Sequence, residues 1–192
     1  MGRPKEFDPD TAVTQAMNVF WERGYADTTP QGLSEALGIG KGSLYHAFGG
    51  KRQLYDLALQ RYLDGQHAVV SSWLESSGPV KDRLRAALLF PLETDLAGLE
   101  HRGCLAINSA VEFGAADAEV ATAIRSLLDH TQQVLATLVR EGQRTGELRS
   151  TPESDAVAGL LMTSIVGLRA LARVEDGAGR MRAVVDATID LL

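Results

Sequence analysis

The stretch "GIGKGSLYHAFGGK", Gly38 to Lys51, sets glycines beside lysines and adds a serine, a tyrosine and a histidine. Glycine next to lysine is the chemistry of a backbone that comes close to phosphate. A nucleotide-binding loop would need G-x-x-x-x-G-K-[ST] after a strand. Here Gly40-Lys41 is followed by Gly42, the position five before Gly40 is Glu35, and a helical pattern precedes. The P-loop motif therefore fails, and the reading that the residues favour is the phosphate of a nucleic-acid backbone.

The segments on either side support this. Asp8 caps a helix with Pro9 in its first turn. Ala12, Val13, Ala16, Met17, Phe20 and Trp21 repeat at helical spacing, and Gly24 closes it. Thr29-Pro30 starts a second helix, with Pro30 where its missing N–H costs little, Leu33, Ala36 and Leu37 on its buried face and Gly38 as its stop. A third short helix runs from about Lys41 to Phe48. Leu44 and Phe48 anchor it at i, i+4, and Gly49-Gly50 breaks it. Two short helices around a glycine turn form a helix-turn-helix, whose second helix enters the major groove N-terminus first. Gly40, Gly42 and Ser43 let that end approach closely, Lys41 supplies charge, and Tyr45 and His46 point away from Leu44. Thr29 offers its hydroxyl and a helix N-terminus to a phosphate, with Gln31 in the same turn. Lys51 starts a fourth helix and can clamp another phosphate. Arg3-Pro4-Lys5 has two readings, a minor-groove arm or an unstructured tail.

The segment "TTPQGLSEALGIGKGSLYHAFGGKRQLYDLAL", preceded by "AMNVFWERGYADTT", resembles the DNA-binding segment of the TetR/AcrR family of bacterial repressors. The resemblance is specific from about Thr11 to Tyr62; beyond that it is architectural. It implies a homodimer, a DNA-reading head on each subunit, a palindromic operator and a C-terminal domain that binds an inducer. By position, the family's usual contacts fall on Thr29, Lys41, Ser43, Tyr45, His46 and Lys51; Gln31 and Gly42 complete the expected DNA-facing set. Gly40 and Gly50 stand where capping side chains are usual, and Gly32 where a larger polar residue is usual. These departures keep open a second reading, a helical interaction or sensor module that does not bind DNA.

The expected fold is all-α with about nine helices. A helix-turn-helix domain spans residues 1–50, and a helical effector-binding and dimerisation domain spans 51–192, joined by the helix from Lys51. "ESSGP", from Glu75, is the clearest break. After it, helices are expected near Val80–Leu96, Cys104–Gly114, Asp117–Gly146, Pro152–Val174 and Gly179–Leu192. On the last two, Val157, Leu160, Leu161, Ser164, Ile165, Leu168 and Leu171, then Met181, Val184, Val185, Thr188 and Ile189, make stripes wide enough for a dimer surface. Ordinary intrachain core is the other reading.

The sensing chemistry is less defined. A hydrophobic pocket is expected, lined by some of Trp73, Phe90, Phe113, Leu138 and Met162. In "RGCLAINSAVEFG", Cys104, Asn108 and Glu112 fall at i, i+4, i+8, which predicts one shared helical face. Cys104 is either a small buried hydrophobe or a thiol made reactive by the helix start and by His101 and Arg102. The "GCL…N…E" pattern resembles that of TetR-family members that respond to electrophiles or oxidants. His101 and Cys104 are two ligands, too few for a metal site.

Bulk properties bound the rest. Apolar residues at 45% supply a core, and charged residues at 23% fit a globular chain. The net charge of −6 lies wholly beyond Arg61; the first 61 residues balance. The protein is therefore no general polycation, and Gln31–Tyr55, with Lys41, Lys51 and Arg52 against Glu35, is its most basic stretch. One cysteine allows no intrachain disulfide, and "MGRPKEFDPD" has no apolar leader, so a cytoplasmic protein without a membrane role is expected. No nucleophile motif, paired carboxylates, metal cluster or dinucleotide loop argues for an enzyme or a cofactor.

Overall fold

The computed structural model describes residues 7–96, 102–175 and 177–192. Among the described residues it is all-helical, with nine α-helices and one 3-10 turn. The head comprises α1 (Pro9–Arg23), α2 (Pro30–Leu37) and α3 (Lys41–Phe48). The long α4 (Lys51–Glu75) leads into α5 (Val80–Leu96), α6 (Leu105–Phe113), a 3-10 turn (Gly114–Ala116), α7 (Ala118–Thr145), α8 (Ser154–Leu171) and α9 (Gly179–Leu191).

Local chemistry sets the head's helix ends. The Asp8 carboxylate accepts the Asp10 and Thr11 amides at α1, and the Thr29 hydroxyl accepts the Gly32 amide at α2 (3.0 Å). Each satisfies an amide that the helix start leaves without a partner. Gly38 closes α2 in the left-handed region (φ 64°), donating its N–H to Ser34 and Glu35 carbonyls. That turn swings α3 across α2.

Two apolar clusters hold the molecule. The first joins α1–α4 to Cys104, Leu105 and Ala106 and to the first half of α7 through Val120, Ile124 and Leu127. The second packs α5, the second half of α7, α8 and α9 around Leu84, Leu135, Leu138, Leu161 and Met181. The head therefore sits on the body through buried apolar surface.

Most of the α8–α9 stripe residues follow the core reading. Val157, Leu161, Ile165, Leu168, Met181, Val185 and Ile189 are buried in the chain's own core. A different edge faces outward: Ala156, Leu160, Thr163, Gly167 and Ala170 on α8, with Val184, Ala187 and Leu191 on α9. Leu160 is 57% exposed and Val184 40%. The sequence pattern was too coarse to separate the two edges, because apolar residues flank the whole α8 cylinder. At 18 residues α8 is also long and apolar enough to span a bilayer, but its inner edge packs against α5 and α7.

Candidate nucleic-acid interface

α3 is built from behind. Leu44 is fully buried and Phe48 nearly so, and both enter the first apolar cluster. Tyr45, at 45% exposure, and His46 face solvent, as do Lys41, Gly42 and Ser43. Apart from Lys41, the residues of the N-terminal turn are small, and Gly40 caps it without any side-chain hydrogen bond. The α3 N–H groups are thus open toward any phosphate that approaches.

Gly50 precedes α4 at φ 150°, a conformation that L side chains rarely adopt. A Cβ there would lie 3.3 Å from Gln53 Oε1 and 3.5 Å from Tyr45 Cε1. The glycine is thus required by the turn that seats Tyr45, although α4 starts without a side-chain cap.

The other candidate DNA contacts, Thr29, Gln31 and Lys51, are partly engaged within the chain. Thr29 spends its oxygen on the Gly32 amide, keeping its own O–H to donate. Gln31 donates to Glu35 Oε1 at 2.7 Å. Lys51 is half-buried, with Nζ 4.0 Å from the centroid of the Tyr25 ring. Arg52 leaves the basic stretch altogether. It bonds Asp56 (2.8 Å) and Asp117, with Glu119 at 3.4 Å, and so ties α4 to the start of α7. The bonds to Asp117, then to Asp56, raise the Arg52 pKa, and Arg52 in turn lowers that of Asp117. Of the three cations in this stretch, Arg52 is thus tied to the body, Lys41 is exposed and Lys51 is half-buried on Tyr25. Arg3-Pro4-Lys5 lies outside the described residues.

The expected effector residues fall into two places. Trp73, Phe90, Cys104 and Met162 line a body cavity of about 50 Å³, whose few polar walls are Gln66, Thr131 and Arg169. Arg169 is buried and donates to Gln66 Oε1 at 3.3 Å. Leu138 is absent from that lining and is fully buried core.

The Asn108 backbone N–H donates to the Cys104 carbonyl at 2.9 Å, but Asn108 and Glu112 do not line the cavity that Cys104 lines. They line an open polar cleft of about 240 Å³ between head and body, together with Arg23, Tyr25 and Arg173. The expected single face fails because Cys104 is the N-cap of α6, with extended backbone (φ −99°, ψ 119°), so helical periodicity does not reach it. Its buried Sγ accepts a hydrogen bond from the Tyr62 hydroxyl at 3.3 Å. Arg102, expected to attend the thiol, instead lies over the Trp21 ring and bonds Asn18 on α1. His101 lies outside the described residues. Phe113 packs on Tyr25 and Tyr55, with ring centroids 5.1 and 5.2 Å apart.

Around α6 the sequence missed the connecting residues. The Trp21 indole donates to the Gly103 carbonyl at 2.9 Å, and the Tyr55 hydroxyl to Ser109 Oγ at 2.6 Å. Burial pushes the Tyr55 phenol up to about 12. Glu112 accepts the backbone N–H groups of Tyr25 (2.9 Å) and Ala26 (2.5 Å). None of these pairs has a sequence signal, because the partners lie more than fifty residues apart.

The chain is similar in sequence and fold to known proteins. Residues 13–58 match the family model for bacterial regulatory proteins of the tetR family, and residues 80–188 match that for the tetracyclin repressor-like C-terminal domain. The chain is 33% identical to the HTH-type transcriptional regulator YezE of Bacillus subtilis, covering all of both chains. It is 26% identical to the HTH-type transcriptional repressor ComR of Escherichia coli, over 99% of this chain and 91% of that protein. Among solved structures, a cysteine-substituted form of the TetR family transcriptional regulator CifR, complexed with 26 bp double-strand operator DNA, superposes with a TM-score of 0.84 at 28% identity, covering 98% of each chain. With both halves of the chain matched and a full-length relative at this identity, the protein belongs to the TetR family of bacterial transcriptional regulators.

Proposed function

We propose that this TetR-family regulator is a cytoplasmic repressor that binds a palindromic operator as a homodimer, with residues 1–50 as its reading head and 51–192 as its sensing and dimerising body. The observation that carries this is α3: Leu44 and Phe48 hold it from behind while Tyr45 and His46 face outward beyond an N-terminus that no side chain caps. Tyr45, His46, Ser43 and Gly42 would meet base edges. Thr29, Gln31, Lys41 and Lys51 would meet phosphates.

Two heads must reach grooves about 34–36 Å apart, or a multiple of that, which a twofold dimer supplies. The outward edges of α8 and α9 suit that dimer: Ala156 and Gly167 permit close helix approach, and Leu160, Val184 and Leu191 supply apolar area. Closing this face in water removes an unpartnered apolar edge without breaking the inner core.

The inducer would be small and largely apolar, fitting the cavity beside Trp73, Phe90 and Met162. Release would follow from a body rearrangement that changes the separation of the heads. Cys104 on the cavity wall supports a second trigger, covalent modification of its thiol. A Cys104→Ser variant would then bind operator normally and ignore electrophiles; an unchanged response would assign the thiol to packing.

A band-shift titration on the duplex flanking the protein's own gene tests the main reading. Binding that survives excess competitor DNA and weakens steeply with salt is expected. No shift even at low salt would leave a helical sensor module without DNA binding.

A further inference from the structure

Lys51 is not an isolated surface lysine. Its Nζ lies 4.0 Å from the centroid of the Tyr25 ring, a cation–π contact. Tyr25 is itself fixed from the body. Its amide N–H donates to Glu112 Oε2 at 2.9 Å, and the next amide, of Ala26, donates to Glu112 Oε1 at 2.5 Å. Phe113, the next residue on α6, packs its ring 5.1 Å from that of Tyr25. The last two residues of α6 therefore hold both the backbone and the ring on which the lysine rests. The other end of α6 walls the body cavity through Cys104, Ala106 and Ile107.

We propose that Glu112 and Tyr25 are positioning residues for DNA binding: Glu112, from the body, sets the Tyr25 ring, and the ring holds the Lys51 ammonium ready for a phosphate. This rests on Lys51 being a phosphate contact. The chemistry favours pre-positioning over sequestration. An ammonium has three N–H donors and a ring face takes one, leaving two for phosphate oxygens. A free lysine loses much rotamer freedom when it is fixed, and the ring meets part of that cost before DNA arrives. Glu112 suits its task because a carboxylate accepts from two successive amides at once, which an amide side chain cannot do with both its polar atoms.

The test is a double-mutant cycle on the full chain, read by fluorescence anisotropy with the labelled duplex flanking its own gene. A cation–π contact of this exposure corresponds to about a 2- to 5-fold change in affinity. Tyr25→Leu should weaken binding by that factor, while Tyr25→Phe, which keeps the ring, should bind like the parent. Glu112→Gln should weaken binding by a similar factor. In a Lys51→Met background both losses should vanish, because nothing remains to be positioned. Equal losses with and without Lys51 would reduce Glu112 and Tyr25 to structural residues and overturn the proposal. Tighter binding by Tyr25→Leu would overturn it as well, making the ring a trap.

A second readout needs no DNA. The Lys51 ε-methylene protons should be shifted upfield by the Tyr25 ring and should return toward free-lysine values in Glu112→Gln. An unmoved resonance would contradict the relay even if DNA binds. A parent chain that binds no duplex but shows the shift would instead contradict the phosphate role of Lys51.

Discussion

α3 and α6 are built alike and used differently. Each is eight or nine residues long, each starts without a side-chain cap, and each is closed by a glycine. α3 is held on one side only, by Leu44 and Phe48, and the other side is left to solvent. α6 is held along one side and at both ends: Leu105, Ala106 and Ser109 are buried, its N-cap bonds Tyr62, and its C-terminal end grips the α1–α2 turn, while Ala110 and Val111 face solvent. One is a probe and the other a strut. A probe needs only its own anchor residues and a polar outer face. A strut needs partners brought in from distant parts of the chain.

The contrast can be broken from either side. The largest effect should come from Leu160→Glu, which places a carboxylate in each half of the expected α8–α9 dimer face. A buried unpaired charge costs about 3–5 kcal/mol. Sedimentation should show monomers that keep their helix content, with both probes intact but no longer acting as a pair. An unchanged dimer would move the interface elsewhere. Next, Leu44→Ala should cost about 2–5 kcal/mol in a denaturant melt. Hydrogen exchange should speed up across α2 and α3 while α6 keeps its protection.

The strut is sharpened by two smaller tests. The Tyr55 phenol, buried against Ser109, has its pKa raised from 10.0 to about 12. The folded state therefore holds its proton more tightly than the unfolded one. Its contribution is intact below pH 10 and is lost as pH rises toward 12, by about 2 kcal/mol. Tyr55→Phe should lack this alkaline loss in pH-dependent thermal melts. Asp117 shifts the other way: Arg52 holds its carboxyl below the usual 3.8. That contribution is present above 3.8 and is lost as pH falls through the lowered value. The pair is partly exposed, so Asp117→Asn should lower stability only slightly at neutral pH and flatten the acid limb of the same melts. An acid limb identical to the parent's would show that the α4–α7 tie is not maintained in solution.

The probe and the strut were unequally legible in the sequence. Asp8-Pro9, Thr29-Pro30, Gly24, Gly38 and Gly49 marked the head's helix ends, because capping and left-handed turns are decided within a few residues. The outward set of α3 followed from the position of Leu44. In the body the helices were legible but their partners were not. Apolar positions around α8 fit core and interface equally until α5 and α7 were seen to cover one edge. Cys104, Asn108 and Glu112 kept helical spacing on paper but not in space, because the first is a cap. Arg52, counted with the basic stretch, turned to Asp117, a partner sixty-five residues away. Tyr25, which carries no sequence signal of its own, touches both Glu112 and Lys51.

The measurement that bears most directly on the probe is the affinity ratio between the duplex flanking the protein's own gene and a scrambled duplex, for the parent and for Tyr45→Ala with His46→Ala. Both side chains face solvent, so the variant should fold and dimerise like the parent. Its ratio should fall by about tenfold or more, as expected from losing contacts worth about 1–3 kcal/mol per base pair, while its salt dependence at the scrambled duplex stays the same. An unchanged ratio in a folded, dimeric variant would mean that α3 does not read DNA in this protein.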